Sequence, residues 1–226
     1  MSPARTTPLR AFVPASVLAL GLLIGAAPWA PMAGQAPEDD EAGPEVAFMQ
    51  DMILHHAQAL EMSRLAPDRS ENEQVLALTR RIEAAQGDEI ALMKRWLERR
   101  GHRVPTDEEI EDHARGMPED HHHPDPEDAH DHHHEDADGM AGMLSRQDFR
   151  ALEDAEGTDF DRLFLEKMIH HHQGAIIMVE ELLETPQAVA DSEVFSLATH
   201  VETMQQGEIT RMQAMLRDMG NDATTR

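Results

Sequence analysis

The chain has 226 residues and a formal charge of −25, from 44 Asp and Glu against 19 Lys and Arg. That balance argues against DNA, RNA or an anionic membrane surface as partner, since each requires a basic footprint; it favours cations, or serves solubility alone. Cys is absent, which removes disulfides, thiolate metal sites and cysteine catalysis, and with aromatic residues at 4% there is no aromatic-lined pocket for sugars or bases. His and Met, at 15 each, are the surplus that calls for explanation.

In chain order, "MSPARTTPLR" carries two arginines and no acid, and an uncharged run follows from Ala11 to Ala33. A basic flank ahead of an apolar stretch is the pattern of a secretory signal. The run is also long enough to span a bilayer, so residues 1–36 read as a signal peptide or an N-terminal membrane anchor. Either places the rest of the chain outside the cytoplasm, as a secreted or periplasmic protein or one anchored to the outer face of the cell membrane.

From Pro44 the apolar positions follow a helical period: Val46, Met49, Ile53, Ala57 and Leu60. Pro44 suits a first turn and Pro67 marks the end. "SENE", Ser70 to Glu73, has the form of a capping box for a second helix, which runs to Gly101 and completes a first hairpin over 44–101. Residues 102–144 form an acidic, His-rich segment whose composition cannot build a core and predicts a disordered loop. Over 145–220 the pattern predicts a short helix at about Arg146 to Ala155, then a second hairpin. "TDFD", Thr158 to Asp161, is its candidate capping box, Pro186 follows its first helix, and Gly220 stops its last.

The second hairpin repeats the first. A shift of 116 places Phe48 on Phe164, Met52 on Met168, His55 on His171, His56 on His172 and Met62 on Met178; a shift of 119 places Gln86 on Gln205, Glu89 on Glu208 and Met93 on Met212. One hairpin buries its apolar stripe poorly alone, whereas two close around one core. The expected fold is all-α: a ferritin-like four-helix bundle built from two repeated helical hairpins, with 44–220 as one domain.

Met52, His55 or His56, Ala59 and Met62 share one helix face, and Met168, His171 or His172, Ala175 and Met178 share its counterpart. Neighbouring histidines point about 100° apart on a helix, so one of each pair is expected inward and the other toward the bundle edge or a partner helix. Read plainly, these are core methionines and satisfied core histidines. Two His-His pairs at equivalent places, each framed by Met, point instead to metal. Imidazole with thioether and no Cys, in an oxidising compartment, selects copper, as Cu(I) in the bundle. A di-iron centre would require Glu-x-x-His on bundle helices, and the two matches, Glu119 to His122 and Glu127 to His130, lie in the loop. Glu89 and Glu208 read as polar residues of a bundle edge, or else as acceptors that orient metal-bound imidazoles.

The loop holds His121, His122, His123, His130, His132, His133 and His134, seven within fourteen residues, which favours weak Cu(II) binding over a merely solvated linker, with zinc or nickel as alternatives. Met140 and Met143 add thioethers where it returns to the bundle.

The paired "MILHH" and "MIHHHQGAIIM" segments, with "QGDEIALMKRWLERRG" and "QQGEITRMQAMLRDMG", resemble the bacterial family called domain of unknown function 305, from about Glu45 to Gly220. The resemblance implies an exported ferritin-like bundle and, for some members, copper binding and copper resistance. The family pattern places Asp three residues before the first Phe; Asp161 fits, whereas the first repeat has Glu45. The expected function is copper binding and buffering outside the cytoplasm, with metal ions as partners and no nucleic acid. The alternatives are a copper-dependent oxidoreductase on the same face and a structural bundle without metal.

Overall fold

The structure, a computed structural model, describes residues 43–116 and 140–224. The expected signal or anchor segment and the histidines from His121 to His134 lie outside the described residues. Among the described residues seven helices follow in order: α1 Pro44–Arg69, α2 Glu73–Arg100, α3 Asp107–Ala114, α4 Arg146–Asp154, α5 Gly157–Leu183, α6 Pro186–Ala190 and α7 Ser192–Thr224. The long helices form the helical bundle: α1 packs on α2, α5 on α7, and α1 on α5. Among the described residues no helix is long and apolar enough to cross a membrane.

The helix ends differ from the sequence expectation where a tertiary partner outcompetes a local cap. α1 runs through Pro67 to Arg69, because a proline this near the end removes one N–H while Ser70 N still closes on Ala66 O at 2.8 Å. The N-cap of α2 is Asn72, whose side chain accepts from Gln74 N and Val75 N, not Ser70. The Ser70 hydroxyl instead donates to Asp161 Oδ1, ninety-one residues away. Asp161 is therefore no capping residue: it lies inside α5, which begins at Gly157 without a side-chain cap, and burial raises its pKa. In the first repeat the matching Glu45 leaves Oε2 buried without a hydrogen bond. Gly101 takes a left-handed φ of 73° and ends α2, but α7 passes through Gly220 without such a turn.

A further correction concerns residues 102–144. This segment includes α3, opened by a reciprocal capping box between Thr106 and Glu109 and packed on α1. Its far end is also folded, with Met140, Met143 and Leu144 buried. Acidic composition concealed a helix whose inner face is short.

The core falls into two apolar halves separated by a polar layer. Along α1 the order is Met49, Met52 and Ile53, then His55, His56 and Gln58, then Ala59, Met62 and Ala66. Each of the other three long helices repeats it, as apolar, polar, apolar. α2 contributes Gln86 and Glu89 to the layer, α5 contributes His171 and His172, and α7 contributes Gln205 and Glu208; all are buried. One half holds Met52, Met93 and Met178, the other Met168, Met212 and Met62. The second trio is the sequence-repeat image of the first, so equivalent positions of the two hairpins lie in opposite halves of the core.

Candidate metal centre

At the middle of the polar layer His55 and His171, equivalent in the two repeats, meet face to face. Their ring centroids lie 3.9 Å apart with an interplanar angle of 38°, and both side chains are fully buried. His56 and His172 turn away toward the second helix of their own hairpins. His56 Nε2 donates to Glu89 Oε2 at 2.6 Å, and His172 Nε2 donates to Glu208 Oε2 at 2.8 Å. One histidine of each pair thus faces inward and the other a partner helix, as expected, but none reaches the edge.

The two glutamates are the correction. They are not edge residues: Glu89 is 4% and Glu208 8% exposed, and each holds a buried imidazole by its Nε2–H. The signal was present in their equivalent placement, but whether α2 and α7 turn that face inward depends on docking.

His55 Nε2 donates to the backbone carbonyl of Ala141 at 3.0 Å. Nothing in the sequence reading anticipated that contact. It is admitted by Gly174, where an added Cβ would lie 2.0 Å from Ala141 O, and by Gly142, at φ 80°, whose Cβ would meet the Gly174 Cα at 2.7 Å. An isolated glycine within an apolar helical pattern is the cue that marks such close approach.

These acceptors fix the tautomers. With Nε2–H committed in His55 and His172, each Nδ1 carries the free lone pair and has no hydrogen-bond partner; Nδ1 of His56 has none either, and in His171 neither nitrogen has one. A buried polar atom left unmade costs about 1–3 kcal/mol. Burial, with the neighbouring His56 adding to it, pushes His55 down to about 3; burial and the facing His55 hold His171 well below its ordinary value. His172 is lowered by burial against the opposing pull of Glu208. His55, His171 and His172 are therefore neutral imidazoles with bare, borderline nitrogen donors, and thioethers lie in the apolar halves on both sides. Among the described residues no three His, Cys, Asp or Glu side chains form a metal-holding group by themselves.

Met52, Met62, Met168 and Met178 are all buried, as are Met140 and Met143, which join Met49, Met52, Met93 and Met178 in one core half. His121, His122, His123, His132, His133 and His134 lie outside the described residues.

Residues 45–220 match the family profile named Domain of unknown function (DUF305). The chain belongs to the DUF305 family. Solved structures of similar fold include a DUF305 fragment from Deinococcus radiodurans, with 30% identity, a TM-score of 0.58 and coverage of 78% of this chain and 97% of that one. A DUF305 protein from Streptomyces coelicolor that is inferred to be secreted shows 25% identity and a TM-score of 0.60, over 79% of this chain and 94% of that one. CopM in its Cu(II)-bound form shows 26% identity and a TM-score of 0.56, over 77% and 96%. CopM is also known in Cu(I)-bound, silver-bound and apo forms. No curated protein matches.

Proposed function

We propose that this DUF305 protein binds copper in the polar layer of its bundle, outside the cytoplasm, and buffers or sequesters it there. The observation that carries this reading is the His55–His171 pair: two fully buried, neutral imidazoles 3.9 Å apart at equivalent positions, with bare nitrogens on both. An apolar pair of the same volume would avoid the cost of those nitrogens, so their placement is best explained by a ligand that takes the lone pairs.

Copper suits the donors better than the other imidazole-binding metals. Among the described residues no three His, Cys, Asp or Glu side chains form a metal-holding group, and the core halves on either side of the layer include thioethers, which are soft and select Cu(I). The residues that would hold it are His55 and His171 at the centre, His56 and His172 oriented by Glu89 and Glu208, and Met52, Met62, Met168 and Met178 above and below. His121, His122, His123, His132, His133 and His134 form a second, weaker site for Cu(II), or for zinc or nickel, with Met140 and Met143 at its return to the bundle. Similarity to CopM, solved with copper bound, supports the choice of metal. Export rests on the basic and apolar N-terminal pattern, and the similarity to the Streptomyces protein supports it.

The test is anaerobic Cu(I) titration against a coloured cuprous chelator, for the chain and for the His55→Ala, His171→Ala double variant. The expected outcome is loss of the tightest site with the helical circular dichroism retained. Unchanged tight binding in a folded double variant would overturn the reading.

A further inference from the structure

The polar layer is buried, so a metal that reaches it must pass between helices, and two clefts are lined by residues of both α2 and α7. One is a cleft of about 440 Å³ whose lining includes Met49, Trp96, Glu193 and His200. The other, of about 480 Å³, is lined by Glu73, Gln74, Ala77, Arg81, Arg211 and Met215. The shift of 119 residues converts one into the other: Arg81 becomes His200, Gln74 becomes Glu193, Leu92 becomes Arg211 and Trp96 becomes Met215. The clefts are thus lined by repeat-equivalent positions whose side chains differ in charge and donor type.

The first leads to the layer. The His200 side chain is 59% exposed, and its Nε2 lies 3.5 Å from Glu89 Oε1. That oxygen is buried and makes no hydrogen bond, while the other oxygen of the same carboxylate holds His56 Nε2. A single carboxylate thus spans an imidazole at the surface and one in the layer. Two donors each about 2.0–2.2 Å from a first-row metal ion stand 3–4 Å apart, which is the separation found. Met49 lines the cleft, and Met49, Met52 and His56 follow at steps of three and four on one face of α1, leading from the cleft to the layer. Arg99, also in the lining, is engaged by Glu193 at 3.2 Å, and Arg100, which shares Glu193 at 2.9 Å, is matched by a second carboxylate, Asp191, at 3.0 Å. In the second cleft two guanidiniums, Arg81 and Arg211, stand with one carboxylate, Glu73, and a cation approaching them meets like charge.

We infer that the His200 cleft is the port through which Cu(I) reaches the polar layer, with His200 and Met49 as first ligands and Glu89 as the link to His56, and that the Arg81–Arg211 cleft is closed to cations. This rests on the copper-binding reading above. His200 is a transfer ligand and not part of the resting site, so it sets the rate of loading and leaves the final occupancy alone.

The experiment is anaerobic stopped-flow transfer of Cu(I) from its bicinchoninate complex to the full chain, followed by loss of the chelator colour. Field and ligand effects at a charged cleft change association rates by a factor of ten or more, so His200→Ala should slow loading about tenfold with the end-point unchanged. Arg81→Ala should load no more slowly than the parent. Adding Arg81→His, Arg211→Leu and Leu165→Met, the last at the position equivalent to Met49, to His200→Ala should restore the rate by building the port in the second cleft. Equal rates for the parent and His200→Ala would overturn the inference while leaving the copper site standing. A lowered end-point in His200→Ala would overturn it too, by making His200 a resident ligand. Absence of any uptake by the parent would instead defeat the copper reading itself.

Discussion

Gln58 and Gly174 occupy equivalent positions in the two repeats and receive the same segment of chain in opposite ways. The Gln58 amide grips it: Nε2 donates to Leu144 O at 3.1 Å and Oε1 accepts from Leu144 N at 2.6 Å. Gly174, by having no side chain, lets Ala141 and Gly142 lie directly on α5. Together they lay residues 140–144 across α1 and α5, where the Ala141 carbonyl takes the Nε2 proton of His55.

Gly174→Ala should therefore expel this segment. An added Cβ 2.0 Å from a backbone oxygen cannot be absorbed by a side-chain rotation, and overpacking of this kind costs about 1–3 kcal/mol. Urea unfolding should show that loss. Gln58→Ala, which strips a buried backbone N–H and C=O of their partners, should cost a similar amount.

Glu208→Gln should weaken copper binding more than it weakens the fold. The carboxylate accepts the Nε2 proton of His172 at 2.8 Å; the amide keeps an acceptor but removes the charge that raises the imidazole's basicity, and changes to such an orienting partner typically lower metal affinity about 10–100-fold. Competition against a cuprous chelator measures the affinity, and thermal unfolding of the metal-free protein measures the fold. Equal affinity in the variant would show that His172 takes no part in holding the metal.

The metal-free bundle should lose stability as pH falls below about 6.5. His55 is held down to about 3, and His171 and His172 are lowered as well, so the folded state refuses protons that the unfolded chain accepts near pKa ~6.5. Their contribution is complete above that value and lost as pH drops from it toward 3, with a slope of up to about 1.4 kcal/mol per pH unit for each histidine. Urea midpoints at pH 7.5 and 5.5 should differ in this sense. The difference should shrink in the His55→Ala, His171→Ala variant, which shares the acidic surface and so cancels its effect.

Deletion of residues 117–139 should reduce the number of weakly held Cu(II) ions and leave the melting temperature nearly unchanged. The cut stops short of Met140 because Met140, Met143 and Leu144 belong to the core. Equilibrium dialysis counts the ions; a deletion that stopped at 143 should be visibly less stable by calorimetry.

The sequence by itself determined the repeat, the four long helices and the His-Met faces. Each is a matter of local period: steps of three and four along one helix decide which residues share a face, whatever that face later meets. It did not determine which polar groups would find each other. Ser70 and Asp161 looked like caps of their own helices and instead bond across ninety-one residues, because a buried partner outcompetes a solvated local one. Glu89 and Glu208 looked like edge residues until docking turned them onto His56 and His172. The contrast between the two α2–α7 clefts likewise needed the assembled bundle. His200 and Arg81 are ordinary substitutions in a list of repeat differences, and only when α7 lies beside α2 does one of them stand 3.5 Å from a buried carboxylate oxygen. Hydrogen-bond partners at this range are selected by the geometry of packed helices, which no single segment of chain encodes.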